Sequence, residues 1–165
     1  MTELLELPEI DLDHPDIPLW SRAGFLIRRL NQIHYALFLE ECSGFDLTPI
    51  QYGLISELSE HPGIDQITLS QEVGIDRSNT ADILRRLELR GLVKRYPSPE
   101  DRRMKLSVLT EKGEQVRRDM YACMLRAQDQ LMEPLSDGQK KEFQRLLSHL
   151  VRANNHLGRT LFKPS

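Results

Sequence analysis

Apolar residues recur three and four positions apart along most of this chain, which is the spacing of an amphipathic α-helix. Between Leu19 and Glu41 the recurring positions are Ala23, Ile27, Leu30, Ile33, Leu37 and Phe38, with His34 among them. The same spacing predicts helices over about 48–60, 68–73, 76–90, 110–131 and from 136 onward. The first and last helices are long and apolar on one side, so they need to pair with each other or with a second subunit.

Residues typical of helix ends mark these boundaries. Three capping boxes are predicted, at Thr48–Gln51, Thr68–Gln71 and Ser136–Gln139. Single N-cap residues are predicted at Asp76 and Thr110. Gly74 lies between the third and fourth predicted helices and suits a tight turn that needs positive φ. The two helices joined by this turn have the arrangement of a helix-turn-helix.

A strand-turn-strand pattern follows the fourth helix. Leu92–Tyr96 and Lys105–Leu109 have the composition of strands, and residues 97–103 between them are typical of a turn. A hairpin in this position corresponds to the wing of a winged helix-turn-helix. We therefore predict a mainly α fold with a small β-hairpin wing. The winged helix-turn-helix spans 45–109, and helical dimerisation regions over 19–44 and 110–160 flank it.

Charge is distributed unevenly along the chain. The formal net charge is -3, yet residues 77–105 hold nine Lys and Arg against four Asp and Glu. Residues 1–18 hold six acids, three prolines and no Lys or Arg, which predicts an acidic arm that is extended or loosely ordered. Because the local field acts on a phosphate backbone, the basic segment favours binding to nucleic acid. The competing interpretation is an ordinary solvated charged face or a surface that binds another protein.

Several function classes lack support in the sequence. A Gly-rich phosphate loop, a nucleophile elbow and a zinc-type grouping of His and Cys are all missing, so we expect neither an enzyme nor a cofactor. Cys42 and Cys123 follow no metal-ligand spacing and suit a reducing cytoplasm as free thiols. The chain has no apolar run long enough to cross a membrane and no secretory signal. We expect a cytoplasmic protein.

Several motifs in order resemble the MarR family of bacterial transcription regulators. They are Leu47-Thr48-Pro49-Ile50-Gln51-Tyr52, Asp76-Arg77-Ser78-Asn79-Thr80, Arg90-Gly91-Leu92-Val93, Asp101-Arg102-Arg103 and Leu109-Thr110-Glu111-Lys112-Gly113. The resemblance covers about residues 20–150. It implies a homodimer with a winged helix-turn-helix in each subunit, whose affinity for a pseudo-palindromic DNA site is regulated by a small ligand.

The helix over 76–90 is predicted to enter the major groove with its N-terminus first. Its first turn then brings Arg77, Ser78, Asn79 and Thr80 to base edges or nearby phosphates. Arg85 and Arg86 lie further along the helix and are expected to contact the backbone. Ser70 and Gln71 are expected to bind phosphates from the preceding helix.

The hairpin tip is predicted to place Arg102 or Arg103 in an adjacent minor groove, where a narrow A·T-rich segment attracts Arg. Asp101 has no useful attraction to DNA, so we expect it to hold Arg103 by a bidentate ion pair. Arg95 and Lys105 are expected to contact phosphates without sequence preference. The alternative for these arginines is pairing on the protein surface.

The segment Ile27–Tyr35 resembles that of MarR members controlling aromatic-acid degradation, in which an Arg and a His bind the effector. Arg28 and His34 are the matching positions, and an anionic effector needs such partners. At about 100° per residue the two side chains diverge around one helix, so a pocket between helices or between subunits has to bring them together. Trp20, Phe38 and Tyr52 are candidates for its apolar wall, although such aromatics are often core residues.

These observations predict a ligand-responsive repressor that is released from palindromic DNA by an aromatic carboxylate or its CoA thioester. Two alternatives remain open. One is a regulator that senses oxidation through Cys42 or Cys123. The other is a module that binds a protein rather than DNA.

Overall fold

A computed structural model of the chain describes residues 17–158, 160 and 162. Within these residues it is mainly helical, with a small antiparallel sheet. The elements are α1 (Ala23–Glu41), α2 (Pro49–Glu60), β1 (Ile64–Asp65), α3 (Gln66–Val73), α4 (Arg77–Leu89), β2 (Val93–Pro97), β3 (Lys105–Leu109), α5 (Glu111–Met132) and α6 (Asp137–Asn154). The predicted fold class is confirmed. The predicted acidic arm lies outside the described residues, apart from positions 17 and 18.

Most of the predicted helix starts are confirmed by cap geometry. Thr48 and Ser136 each form a capping box with the Gln three residues later. The Asp76 carboxylate accepts the Asn79 amide, and the Thr110 hydroxyl accepts the Gly113 amide. Side-chain oxygens thereby satisfy amides that have no partner within the helix.

Two predicted starts are wrong. The capping box at Thr68 does not form, because Asp65 caps α3 and accepts the amides of Ile67 and Thr68. The Thr68 hydroxyl itself donates to Asp65 at 2.6 Å. The first long helix begins at Ala23 rather than Leu19, since Arg22 has extended φ and ψ and Leu19–Ser21 forms a single 3-10 turn.

The sheet contains one strand that sequence reasoning missed. β3 lies between β1 and β2 and pairs antiparallel with both. The hairpin register matches Val93 to Leu109 and Pro97 to Lys105, and β1 matches Ile64 to Ser107. β1 has only two residues, too few for an alternating pattern to appear in the sequence. Its pairing joins the wing to the start of α3.

The core is centred on α2. This helix packs against α3, α5 and β3, while α1 packs against α5. The fully buried side chains include Phe38, Leu54, Ile55, Leu58, Leu69, Leu84, Leu87, Leu92 and Met120. In contrast, α6 has no buried residue, and Leu146, Leu147, Leu150 and Val151 all lie exposed along it.

The start of α5 is fixed tightly against the end of α4. Thr110 donates its amide to the Leu92 carbonyl at 3.0 Å and its hydroxyl to the Gly91 carbonyl at 2.7 Å. Lys112 Nζ donates to the Arg90 carbonyl at 2.9 Å. Only glycine fits at 113, because a Cβ there would lie 2.1 Å from the Leu92 carbonyl oxygen.

We expect Gly113→Ala to lower the free energy of unfolding by about 1–3 kcal/mol, since the helix has to move away from Leu92. Gly138→Ala is the matched control, also in the first turn of a long helix but with no atom within 4 Å of the added Cβ. It should leave stability unchanged or raise it by up to about 1 kcal/mol. Urea unfolding at one protein concentration measures both, and equal stability of the two variants would contradict the close approach at Gly113.

Candidate nucleic-acid interface

α3 and α4 form a helix-turn-helix around Gly74. This glycine has φ of 72°, a left-handed conformation that glycine adopts without strain. The Ile75 amide donates to the Ser70 carbonyl at 3.0 Å across the turn. The turn therefore sets the direction in which α4 leaves α3.

The first turn of α4 is organised by Asp76. Its two carboxylate oxygens accept the Ser78 hydroxyl and the Asn79 side-chain amide, each at 2.6 Å. The Ser78 hydrogen bond, followed by that from the Asn79 backbone, lowers the pKa of Asp76. Ser78 and Asn79 are exposed as predicted, and each side chain donates one hydrogen bond to this cap. Arg77, beside them, is exposed.

Two residues predicted to contact nucleic acid are unavailable. Thr80 is fully buried, and its hydroxyl donates to the Asp76 carbonyl at 2.9 Å. Ser70 is also buried, and its hydroxyl donates to the Ile67 carbonyl at 2.7 Å. Both hydroxyls face the protein because the inner sides of α3 and α4 pack against the core. Gln71 is half-buried.

A groove of about 430 Å³ lies between α4 and the wing. The residues that line it include four of the predicted basic residues: Arg77, Arg95, Arg103 and Lys105. Asp65 is the one acid among the lining residues, and it is occupied with capping α3. The fold therefore brings together cations that are up to 28 positions apart in the chain.

Arg95, predicted to contact phosphates, is held in an ion pair with Glu88. Its Nε donates to Glu88 Oε2 at 2.8 Å, and a second guanidinium nitrogen lies 2.5 Å from the same oxygen. Only 15% of the Arg95 side chain is exposed. The Arg95 hydrogen bond lowers the pKa of Glu88. The ion pair between Arg95 and Glu88 connects β2 to α4 and so fixes the distance between the wing and this helix.

At the wing tip, Asp101 orients Arg103 as predicted, but through a different geometry. A single carboxylate oxygen accepts the Arg103 backbone amide at 3.0 Å and Nε at 3.3 Å, so the ion pair is not bidentate. The Arg103 side chain is 93% exposed, which leaves its guanidinium free to contact a ligand. Arg102 and Lys105 are exposed beside it.

The second half of α4 presents Arg85 and Arg86 to solvent, as predicted. Arg85 lies 4.0 Å from Asp82, an exposed pair of little energetic weight. Gln66 is a groove residue that sequence reasoning missed, since the predicted helix began two residues after it. Its side-chain amide donates to the Arg77 carbonyl at 3.1 Å and so connects the start of α3 to the start of α4.

A second cavity, of about 270 Å³, lies between α1, α2 and α5. It is lined by His34, Phe38, Pro49, Tyr52, Gly53, Ser56, Met124 and Gln128. The His34 and Phe38 rings meet edge-on with centroids 6.4 Å apart, and Phe38 and Tyr52 lie 6.1 Å apart. Burial raises the pKa of Tyr52, so its hydroxyl stays neutral. Three of the five predicted ligand residues thus share one cavity.

The other two predicted ligand residues lie elsewhere. Arg28 is exposed on α1, and its guanidinium carbon stands 5.0 Å from the centre of the Phe25 ring. His34 is six positions further along the chain, which turns the two side chains about 120° apart around the helix axis. Trp20 lies in the turn before α1 and is 38% exposed. Neither belongs to the cavity that His34 lines.

Within the described part of the chain, one group of three side chains has the spacing needed to bind a metal ion. Glu57, Glu60 and His61 have ligand atoms within 4.8 Å of one another at the end of α2. His61 Nδ1 already lies 2.5 Å from Glu57 Oε1.

None of the described helices is both long enough and apolar enough to span a membrane.

A helix-turn-helix that shares a cationic groove with a β-hairpin defines a winged helix-turn-helix transcriptional regulator. A model of the MarR family matches residues 45–104. The transcriptional regulator HosA of Escherichia coli O111:H- is 32% identical over 132 residues, which are 80% of this chain and 93% of HosA. The chain belongs to the MarR family, and it is a DNA-binding regulator rather than an enzyme.

Two solved structures are similar over most of the chain. The PcaV transcriptional regulator of Streptomyces coelicolor, solved with its natural ligand, is 31% identical with a TM-score of 0.76. The alignment covers 85% of this chain and 99% of PcaV. The transcriptional repressor CouR, solved on a 23-mer DNA duplex, is 29% identical with a TM-score of 0.76, over 81% of this chain and 94% of CouR.

Proposed function

We propose that this regulator is a homodimeric repressor that binds a pseudo-palindromic operator and is released by an aromatic carboxylate. The observation that carries the proposal is the groove between α4 and the wing, where Arg77, Arg103 and Lys105 converge. CouR, a similar repressor, was solved on duplex DNA, which supports this assignment of the groove. The DNA-binding domain is residues 45–109, and 19–44 with 110–160 form the dimerisation region.

The exposed cations in this groove and beside it make different contacts. Arg77 stands at the N-terminus of α4 and is the residue that reads a base edge in the major groove. Arg103 projects from the wing tip and enters the neighbouring minor groove. Lys105, Arg102, Arg85 and Arg86 are exposed and contact phosphates. Ser78 and Asn79 lie beside Arg77, each tied to the Asp76 cap by one side-chain hydrogen bond.

The exposed apolar side of α6 supports the homodimer. An isolated helix of 18 residues with Leu146, Leu147, Leu150 and Val151 in water is not expected to be stable alone. α1 adds Leu26, Ile27 and Ile33, which are also exposed in the single chain. A second copy covers both surfaces with the same residues, as an isologous interface requires.

The cavity beside His34 is the proposed effector site. Its volume of about 270 Å³ suits a single aromatic ring with its carboxylate. A CoA thioester is much larger, so the free acid fits better. Phe38 and Met124 supply the apolar walls, while His34, Tyr52 and Gln128 supply hydrogen-bond donors for the carboxylate. PcaV, a similar regulator, binds a natural ligand.

The position of the cavity suggests how the effector lowers DNA affinity. Its wall residues come from α1 and α5 on one side and from α2 on the other. α2 packs against α3, so a ligand that moves α2 also moves the helix-turn-helix. A ligand shifts the balance between two conformations only by its difference in affinity for them. The effector therefore has to fit the DNA-free arrangement better. Arg28 is not in this cavity, so it takes part in effector binding only if the second subunit brings it there.

Replacing Arg103 with Ala should weaken operator binding and lower the slope of log affinity against log salt by about one per subunit. Arg118→Ala is the control, because Arg118 is exposed on α5 and has no place in the groove. Fluorescence anisotropy on one duplex across a salt series gives both quantities. The wing has no part in binding if both variants keep the wild-type slope.

Leu150→Glu should shift the protein from dimer to monomer, because it places a charge in the centre of the apolar side of α6. Ser148→Glu adds the same charge on the polar side of that helix and should remain dimeric. Sedimentation equilibrium distinguishes the two, and circular dichroism checks the fold. A dimeric Leu150→Glu variant would argue that α6 has another role.

His34→Ala should weaken binding of benzoate or 4-hydroxybenzoate about tenfold or more, the loss of one hydrogen bond to a charged group. His149→Ala, which changes an exposed histidine on α6, is the control and should bind as the wild type does. Isothermal titration measures affinity, and thermal shift provides a second readout. If neither acid binds the wild type, the aromatic effector is wrong, while DNA binding by the groove still stands.

A further inference from the structure

Cys42 and Cys123 lie 81 positions apart in the chain, yet their sulfur atoms are 2.8 Å apart in the core. Cys42 is the C-cap residue of α1, and Cys123 lies in the middle of α5. The Cys123 thiol donates to the Met120 carbonyl at 2.9 Å, so the hydrogen between the two sulfurs belongs to Cys42. Both side chains are buried.

The neighbouring contacts hold the two helices in this register. Glu41, next to Cys42, accepts Arg126 Nε at 2.7 Å and the Gln130 side-chain amide at 2.6 Å. Both partners lie on α5, within two turns of Cys123. The short distance between the sulfurs is therefore set by packing and ion pairing around them. A disulfide needs its sulfurs at about 2.05 Å, less than 1 Å closer than they already are.

Cys42 differs from Cys123 in its surroundings. It lines a cavity of about 360 Å³ together with Ser43, Asp46, Thr48 and Gln51. The cavity is partly polar and admits a molecule of the size of hydrogen peroxide. Cys123 is not among its lining residues, so we expect an oxidant to reach Cys42 before Cys123.

We infer that Cys42 and Cys123 are a modification site, at which a peroxide converts the two thiols to a reversible disulfide within one chain. The reaction goes beyond binding of DNA and of an effector, and it does not depend on either. Cys42 Sγ attacks one peroxide oxygen, the O–O bond breaks, and Cys42 becomes a sulfenic acid with release of one water. Cys123 Sγ then attacks the Cys42 sulfur. The S–O bond breaks, and the departing hydroxide takes the Cys123 proton to form the second water.

The environment makes this oxidation slow at neutral pH. Burial, then the hydrogen bond and charge of Cys123, raise the pKa of Cys42 to about 12, Glu41 adds to this, and Arg126 opposes it. Since the thiolate is the nucleophile, little of it is present at pH 7. The pair therefore responds to sustained oxidation, and the second step is fast because the sulfurs are already adjacent.

The disulfide would join the two helices that flank the proposed effector cavity. Phe38 lies one turn before Cys42, and Met124 follows Cys123 directly. Both line the cavity beside His34. Fixing α1 to α5 at this point limits how far the cavity walls can separate. This consequence rests on the proposed function, whereas formation of the bond does not.

The full-length chain is treated with excess hydrogen peroxide, alkylated and digested without reductant. We expect mass spectrometry to find the Cys42 and Cys123 peptides linked, both free thiols lost, and both restored by dithiothreitol. The oxidised protein should also unfold at a higher temperature than the reduced one. The Cys42→Ser and Cys123→Ser variants should each lose the linked peptide and the thermal shift.

Three outcomes would overturn the inference: covalent dimers through either cysteine, sulfinic acid at Cys42 without a linked peptide, or both thiols intact after prolonged exposure. The peptide map uses the wild-type chain, so it stands even where a serine variant does not fold. It also requires neither DNA nor effector. A failure here leaves the proposed repressor intact, and a failure of operator binding leaves the disulfide intact.

Discussion

The contact between the first turn of α5 and the Leu92 carbonyl is the constraint on which the rest of the structure depends. Gly113 permits this approach, and Thr110 and Lys112 donate hydrogen bonds to the Gly91 and Arg90 carbonyls just after α4. Through this junction a helix of 22 residues continues directly from the wing. This junction therefore fixes where the wing lies relative to α5.

Helix starts were predictable from the sequence because N-cap residues act on amides only two or three positions away. The error at Thr68 arose because two possible N-cap residues lie close together. Asp65 and Thr68 are both good N-cap residues. Pairing of β1 with β3 brings the chain to the helix at Gln66, which gives the cap to Asp65. A strand of two residues has no periodic signal, so the sequence alone could not reveal this preference.

The candidate site was predictable as a set of cations but not in its side-chain partners. The charge of residues 77–105 and the hairpin indicated where the groove would form. Which hydroxyls turn inward depends on packing, and Ser70 and Thr80 are buried for that reason. Arg95 finds Glu88 seven positions earlier across the bend between α4 and β2, a pairing that no helical spacing suggests. Likewise, the meeting of Cys42 and Cys123 depends on how α1 packs against α5.

Asp76 carries a further consequence for target selection. Its carboxylate stands at the positive end of α4, where a phosphate would otherwise be attracted most strongly. A fixed negative charge there lowers the attraction to any duplex, so discrimination between sequences depends on the base contact that we propose for Arg77. A genome offers millions of competing positions, so occupancy of the right one depends on the ratio of the two affinities. With less attraction to arbitrary DNA, a larger share of the protein's affinity for its site has to come from that one contact.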